Sequence, residues 1–149
     1  MPIGTIRNRE VVTAHRGTKV SEAAQLMRKH HVGDVVVVDQ VGGREVPCGM
    51  VTDRDIVITV IAQGVDPEGV MLGDMMSSDI VVGRETDGVA DTIQVMRTKG
   101  VRRLPIVDAL GALVGIVTAD DLLALLSEEM NSLTTLVARE QRRELVLRR

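Results

Sequence analysis

The feature that most constrains this chain is an internal duplication. Shifted by 69 residues, positions 4–39 fall on 73–108 with nine identities: Gly4/Gly73, Val12/Val81, Val20/Val89, Gln25/Gln94, Met27/Met96, Arg28/Arg97, Val32/Val101, Val38/Val107 and Asp39/Asp108. After Asp39 the offset becomes 66, because the first copy carries a longer loop from Gln40 to Pro47. Four more identities then fall within seven positions: Gly49/Gly115, Val51/Val117, Thr52/Thr118 and Asp55/Asp121. A repeat of this kind means one supersecondary unit built twice and packed on itself. Copy one spans about 1–66, copy two about 70–130, and 131–149 form a tail. The joint Gly64-Val65-Asp66-Pro67-Glu68-Gly69 is a breaker. It is short, so the copies are expected to pack against each other.

Each copy reads as β-α-β-β-α, an α/β (α+β) unit. A short extended piece (Val11 to Thr13; Ile80 to Val82) precedes a capping-type residue (Thr18; Asp87) and an amphipathic helix. In copy one its apolar stripe is Val20, Ala23, Ala24, Met27 and His31. Strands follow at Val35 to Val38 and Leu104 to Val107, and the unbroken valine run predicts burial on both faces. Asp39-Gln40-Val41-Gly42-Gly43 and Asp108-Ala109-Leu110-Gly111 are the turns before the next strand.

That strand ends in Gly49-Met50-Val51-Thr52-Asp53-Arg54-Asp55 in copy one and Gly115-Ile116-Val117-Thr118-Ala119-Asp120-Asp121 in copy two, each opening a helix. A Thr at such a turn caps the helix, or with the free N–H groups beside it binds an anion. An Asp three residues later accepts hydrogen bonds from a ribose diol. One copy reads as a cap; two at matching places favour a ligand site.

Composition narrows the chemistry. There is no Phe, Tyr or Trp, so a bound base would lie between aliphatic side chains, and the eight Met residues fill gaps that rings fill elsewhere. The net charge of −3 gives no global sign of nucleic-acid binding. No apolar run is long enough to span a bilayer, and no N-terminal stretch reads as a signal peptide. The single cysteine, Cys48, has no resolving partner; a buried, inert thiol in a reducing cytoplasm is expected. No metal is expected, since adjacent His30 and His31 point in different directions on a helix and chelate poorly. No nucleophile–base pair or P-loop is visible, so an enzyme is not expected.

The duplicated unit with Gly-apolar-Val-Thr-x-x-Asp resembles the CBS domain, and the pair over about residues 3–127 resembles a stand-alone Bateman module. That resemblance implies tandem repeats in a pseudo-twofold pair with a C-terminal helix. It also implies clefts for adenosine-containing ligands such as AMP, ADP, ATP, NAD or S-adenosylmethionine, bound as regulatory ligands rather than required cofactors. Carried over residue by residue, Asp55 and Asp121 hold the ribose, and Thr52 and Thr118 contact ribose or phosphate. Val12, Thr13, Val35 and Val36 wall one adenine site; Val81, Val82, Leu104 and Pro105 wall the other.

The copies differ in charge. Copy two has Arg102-Arg103 before its strand, where arginines can clamp phosphate bidentately. Copy one has Gly33-Asp34 there, and Asp34 would repel phosphate unless Arg54 offsets it; the equivalent of Arg54 is Asp120. In the tail, Leu126, Met130, Leu133 and Val137 form a helical seam. Glu140 and Glu144 interrupt it, and Arg139, Arg142, Arg143, Arg148 and Arg149 make the end basic. A homodimer is expected through Met71, Leu72, Met75, Met76, Leu126, Met130 and Leu133. Two functions follow: a sensor of adenosine nucleotides acting on an unidentified regulated protein, or a nucleotide-free adaptor of the same fold.

Overall fold

The computed structural model describes residues 1–76 and 79–148; Arg149 of the basic tail lies outside them. The elements are β1 (Thr13–Ala14), α1 (Val20–His30), β2 (Asp34–Val41), β3 (Arg44–Thr52), α2 (Asp53–Ile56), α3 (Leu72–Met75), β4 (Gly83–Arg84), α4 (Val89–Lys99), β5 (Arg103–Val107), β6 (Leu113–Thr118) and α5 (Ala119–Leu147). A 3-10 turn at Ile3–Thr5 precedes them, and α2 continues as a π-helical segment, Val57–Ile61. There are two three-stranded sheets, β1-β2-β3 and β4-β5-β6. The β-α-β-β-α order is thus present twice. The chain divides into two compact units, Met1–Val117 and the segment from Thr118 on.

Within the first unit, sheet register follows the valine run. β1 pairs parallel to β2 (Thr13↔Val36), and β2 pairs antiparallel to β3 from Asp34↔Thr52 to Val41↔Arg44. Val35, Val36, Val37 and Val38 are all essentially inaccessible. Val35 and Val37 join Val20, Ala23 and Met27 of α1 in one cluster, while Val36 and Val38 join Ile116 of the second copy in another. The strand is buried on both faces because α1 covers one and the other repeat covers the other.

The leading segment of each repeat packs on the opposite repeat, and the contacts match across the 69-residue offset. Ile3 N donates to Asp87 O and Gly4 N to Glu85 O; Leu72 N donates to Thr18 O and Gly73 N to Arg16 O. Bridges Pro2↔Gly88 and Lys19↔Met71 repeat the relation. Ile3 and Leu72 are both 0 % exposed. This reciprocal exchange makes the pair pseudo-twofold.

Several sequence expectations shift for this reason. The helix caps are Lys19 and Gly88, in extended backbone held by those bridges, rather than Thr18 and Asp87. Thr18 Oγ1 accepts from His15 N, and Asp87 Oδ2 accepts from Arg84 N, each closing the preceding turn. The first strands lie at Thr13–Ala14 and Gly83–Arg84, just beyond the expected Val11 to Thr13 and Ile80 to Val82. β2 runs on to Val41, so the hairpin closes on Gly42 (φ 58°) and Gly43 (φ 77°), a two-glycine turn that suits the twist of the strands. His31 is the left-handed residue that ends α1 (φ 53°) and is exposed, as is Ala24. Leu72 is wholly buried and Met75 and Met76 pack against its cluster, so these three belong to the chain's own core.

In the second unit, α5 is a 29-residue helix. Its seam residues Leu126, Met130, Leu133 and Val137 are exposed. No helix among the described residues is long and apolar enough to cross a membrane.

Candidate ligand-binding clefts

Both Thr-x-x-Asp turns form the same capping box. Thr52 leaves β3 in extended backbone; its Oγ1 accepts from Asp55 N at 3.1 Å, and Asp55 Oδ2 accepts from Thr52 N at 2.9 Å. In the second unit Thr118 Oγ1 accepts from Asp121 N at 3.1 Å, and Asp121 Oδ2 accepts from Thr118 N at 3.0 Å. Each box satisfies two N–H groups that the start of a helix leaves over. It uses Oδ2 of each Asp and leaves Oδ1 outside the box. Asp55, Arg54 and Asp120 are exposed, whereas Thr52, Thr118 and Asp121 are half-buried.

The glycine that opens each motif exists because of the exchanged segments. A Cβ on Gly49 would meet Met76 Sδ at 2.5 Å; one on Gly115 would meet Arg7 Cδ at 2.6 Å and Asn8 O at 2.8 Å. Arg7 and Met76 are themselves 69 residues apart. Arg7 also donates from Nε to Val114 O at 2.9 Å and from Nη1 to Gly4 O.

The expected adenine walls separate. Val12 and Thr13 line a cavity of about 490 Å³, with Val11, Leu26 and Val32 on its apolar side and Asn8, Glu10 and His30 on its polar side. That volume falls within the range of small-molecule sites. Thr52, Arg54 and Asp55 are not among its lining residues. Val35 and Val36, adjacent on a strand, face opposite sides of the sheet and are both sealed in core. In copy two Val81 lines a smaller cavity of about 120 Å³ with Met50, Asp79, Ile80, Val101 and Arg103. Val82 is exposed, while Leu104 and Pro105 are buried; Leu104 lies under Gly83, whose Cβ would come within 2.8 Å of it.

Sequence reading did not foresee the pairing of Asp34 with Arg103. Arg103 Nε stands 3.1 Å from Asp34 Oδ1, with the carboxylate side chain 15 % exposed. The signal was available, since the two positions are equivalents 69 residues apart. Equivalent residues that touch lie on the axis relating the repeats. The group facing Asp34 is therefore Arg103, while Arg54 is exposed. A Cβ on Gly33 would sit 3.2 Å from both Arg103 Nη2 and Asp53 Oδ2, so a second carboxylate faces the same guanidinium across that glycine. Burial pushes the Asp34 carboxyl above its ordinary range; Arg103 pulls it back and Asp53 adds to the rise.

Cys48 is half-buried and its thiol donates to Val37 O at 3.3 Å. Burial raises it above the usual thiol range, which lowers its thiolate fraction. Among the described residues no group of three or more His, Cys, Asp or Glu is placed to hold a metal ion.

These features agree with what the chain is similar to. An uncharacterized protein of Methanopyrus kandleri is 40% identical over 121 residues, covering 81% of this chain and 60% of that protein's length, so the chain spans less than two thirds of that relative. The CBS domain-containing protein YhcV of Bacillus subtilis is 41% identical over 113 residues, 76% of each chain. Among solved structures, the CBS domain pair of protein MJ0100, in complex with 5′-methylthioadenosine and S-adenosyl-L-methionine, superposes with a TM-score of 0.75 at 25% identity, covering 87% of this chain and 98% of that one. A hexameric CBS-CP12 protein from bloom-forming cyanobacteria superposes with a TM-score of 0.73 at 28% identity, over 83% of this chain and 69% of that one. The CBS domain family model matches residues 3–61 and again 72–128, and the chain belongs to that family as a tandem pair.

Proposed function

We propose that the chain is a regulatory module that binds an adenosine-containing ligand, with 1–66 and 70–130 as its working repeats and 131–149 as a helical tail. The observation that carries this is the double occurrence of one Thr-x-x-Asp geometry, once in each repeat; the cavity of about 490 Å³ lined by Val12 and Thr13 supports it by its size. Oδ1 of Asp55, which the box does not use, takes the ribose diol, and the same chemistry is proposed for Asp121. Val12 and Thr13 contact the base. A relative that holds methylthioadenosine and S-adenosylmethionine supports the class of ligand. Regulation follows where ligand affinity differs between two arrangements of the pair. No catalytic residue is proposed, and the proposed compartment is the cytoplasm. A homodimer is proposed through the exposed α5 seam at Leu126, Met130, Leu133 and Val137, supported by the oligomeric relative.

A second reading has its own observation. Each Thr and Asp already satisfies the other as a cap, which an empty adaptor would also need. One experiment separates the two. With no Trp or Tyr, the polypeptide absorbs almost nothing near 260 nm, where adenine absorbs strongly. Gently purified protein should show a band there that leaves on denaturation, or an adenosine panel should raise the melting temperature. A ligand at about a hundredfold its Kd stabilises by about 2.7 kcal/mol, a shift of several degrees at this size. No band and no shift with adenosine, methylthioadenosine, S-adenosylmethionine, AMP, ADP, ATP or NAD would leave the adaptor.

A further inference from the structure

The helix α5 carries an apolar surface that nothing in the chain covers. Every residue from 126 to 148 is exposed. The seam residues Leu126, Met130, Leu133 and Val137 are 49 %, 70 %, 63 % and 51 % exposed. A helix in water draws most of its stability from packing an apolar face, so a bare seam of about three turns marks a contact surface. Its steps of four, three and four are those of a coiled-coil seam, and they read the same in both directions. Two copies can therefore bring all four residues into one seam whether their helices run parallel or antiparallel.

Charge separates the two directions. The first half of α5 carries Glu128 and Glu129; the second carries Arg139, Arg142 and Arg143. Glu140 and Glu144 occupy the next two seam positions. Parallel pairing sets acid beside acid and arginine beside arginine, and it turns Glu140 and Glu144 onto their own copies across the seam. Antiparallel pairing packs Leu126 on Val137 of the second copy and Met130 on Leu133. It lays each acidic half toward the other's basic half, and Glu140 comes opposite the exposed Leu123 rather than another glutamate. Thr134 flanks the seam and already donates its hydroxyl to Met130 O at 3.0 Å, so covering it strands no donor.

We propose that α5 pairs antiparallel with α5 of a second copy, about a twofold axis that crosses the helix between Asn131 and Ser132, and that the opposite charges of its two halves set this direction. Such a contact is isologous and closes at two copies. The proposal rests on the homodimer proposed through this seam and is independent of what the clefts bind.

Thiol crosslinking of the full chain tests the direction. Cys48 is the sole cysteine, so Cys48→Ser provides a background in which introduced thiols report alone. In that background Leu126→Cys and Val137→Cys are made singly and together. In the antiparallel pair each position lies about 16 Å along the axis from its own copy. The single variants should therefore stay uncrosslinked on oxidation, and the double variant should form a covalent dimer. Sedimentation measures the strength of pairing. The dimer should weaken as salt rises, because salt screens the attraction between halves. Leu133→Glu should raise its Kd at least about tenfold, or about 1.4 kcal/mol. Crosslinking of either single variant to itself shows parallel pairing and overturns the proposal, leaving the seam dimer standing. A dimer that tightens with salt overturns the role of the charges. No crosslink in the double variant, or a dimer indifferent to Leu133→Glu, places the contact elsewhere and overturns the proposal. A monomer at micromolar concentration removes the seam dimer and its direction together.

Discussion

Gly49 and Gly115 occupy the same place in the two repeats, and the structure constrains them unequally. Gly49 lies against Met76, whose side chain supplies the three atoms nearest its missing Cβ. Gly115 lies against Arg7 and also against the backbone oxygen of Asn8, which is fixed because Asn8 N donates to Ile116 O and Asn8 O accepts from Ile116 N. A flexible thioether yields to a new methyl group; a paired backbone does not. The repeats share a skeleton, and they differ in how rigidly the exchanged segment is tied down.

The largest effect is expected there. Gly115→Ala should cost about 2–3 kcal/mol, at the upper end for overpacking. Gly49→Ala should cost about 1 kcal/mol or less, because Met76 can move aside. Urea denaturation of the two variants measures the gap. Equal costs would show that Asn8 shifts as easily as Met76, and the asymmetry between repeats would be lost.

The second comparison sets Asp34 against Arg103, equivalent positions of opposite charge. Arg103→Met removes the cation and leaves Asp34 shielded beside Asp53. The cost should be about 2 kcal/mol at neutral pH, reduced from the figure for fully buried pairs because both side chains keep some solvent. The sign with pH follows from the raised carboxyl. Folded protein holds the Asp34 proton above the pH at which the unfolded chain loses it. Its contribution is therefore most favourable below the ordinary carboxylate range and is lost as pH rises through the folded value. Loss of Arg103 should steepen that fall, and Asp34→Asn should abolish it. A variant whose deficit is the same at pH 4 and pH 7 would mean that Asp34 is not the group left behind.

The sequence made the duplication, the element order and both Thr-x-x-Asp turns legible, since identities at fixed offsets report topology directly. It also placed the doubly buried β2, because a run of four valines has no polar face to show solvent. The exchange of leading segments was marked only by Gly4/Gly73, and Gly49 and Gly115 read as motif residues rather than as places where another strand of chain passes. Thr18 and Asp87 looked like caps by type, but the cap positions went to Lys19 and Gly88, held by bridges to the other repeat. Periodicity describes one element at a time and carries no sign of such pairing. The adenine walls suffered similarly. Val35 and Val36 are neighbours in the sequence, yet successive strand residues face opposite ways.

Next in size come the caps. Thr52→Ala and Thr118→Ala each remove one half of a box and should cost about 1 kcal/mol. The two helices that follow differ greatly, four α-helical residues before a π segment against 29. If the boxes act locally, the costs match despite that difference. A clear excess for Thr118→Ala in thermal unfolding would mean that its box sets the start of the whole of α5.

The smallest effect is expected at Arg16–Asp39, five residues along the same strand from Asp34. Here Arg16 Nε and Nη2 donate to the two oxygens of Asp39 at 2.9 and 3.0 Å, and both partners are exposed. The hydrogen bonds from Arg16 hold the Asp39 carboxyl below its ordinary range, the opposite of Asp34. Two carboxylates on one strand, each facing an arginine, thus move apart because one is shielded and the other is wet. The sign inverts too. Asp39 contributes stability that is present above the ordinary carboxylate range and is lost as pH falls through its lowered value. Solvent and salt screen an exposed pair, so Arg16→Gln should change stability least of the substitutions considered and should lose even that change at high salt. Carboxyl-carbon NMR titration resolves both groups in one experiment. Asp34 should titrate above Asp39, and Arg16→Gln should raise Asp39 while leaving Asp34 where it was. If both carboxyls move together, the two pairs are electrically coupled along β2 and the separation between axis and surface does not hold.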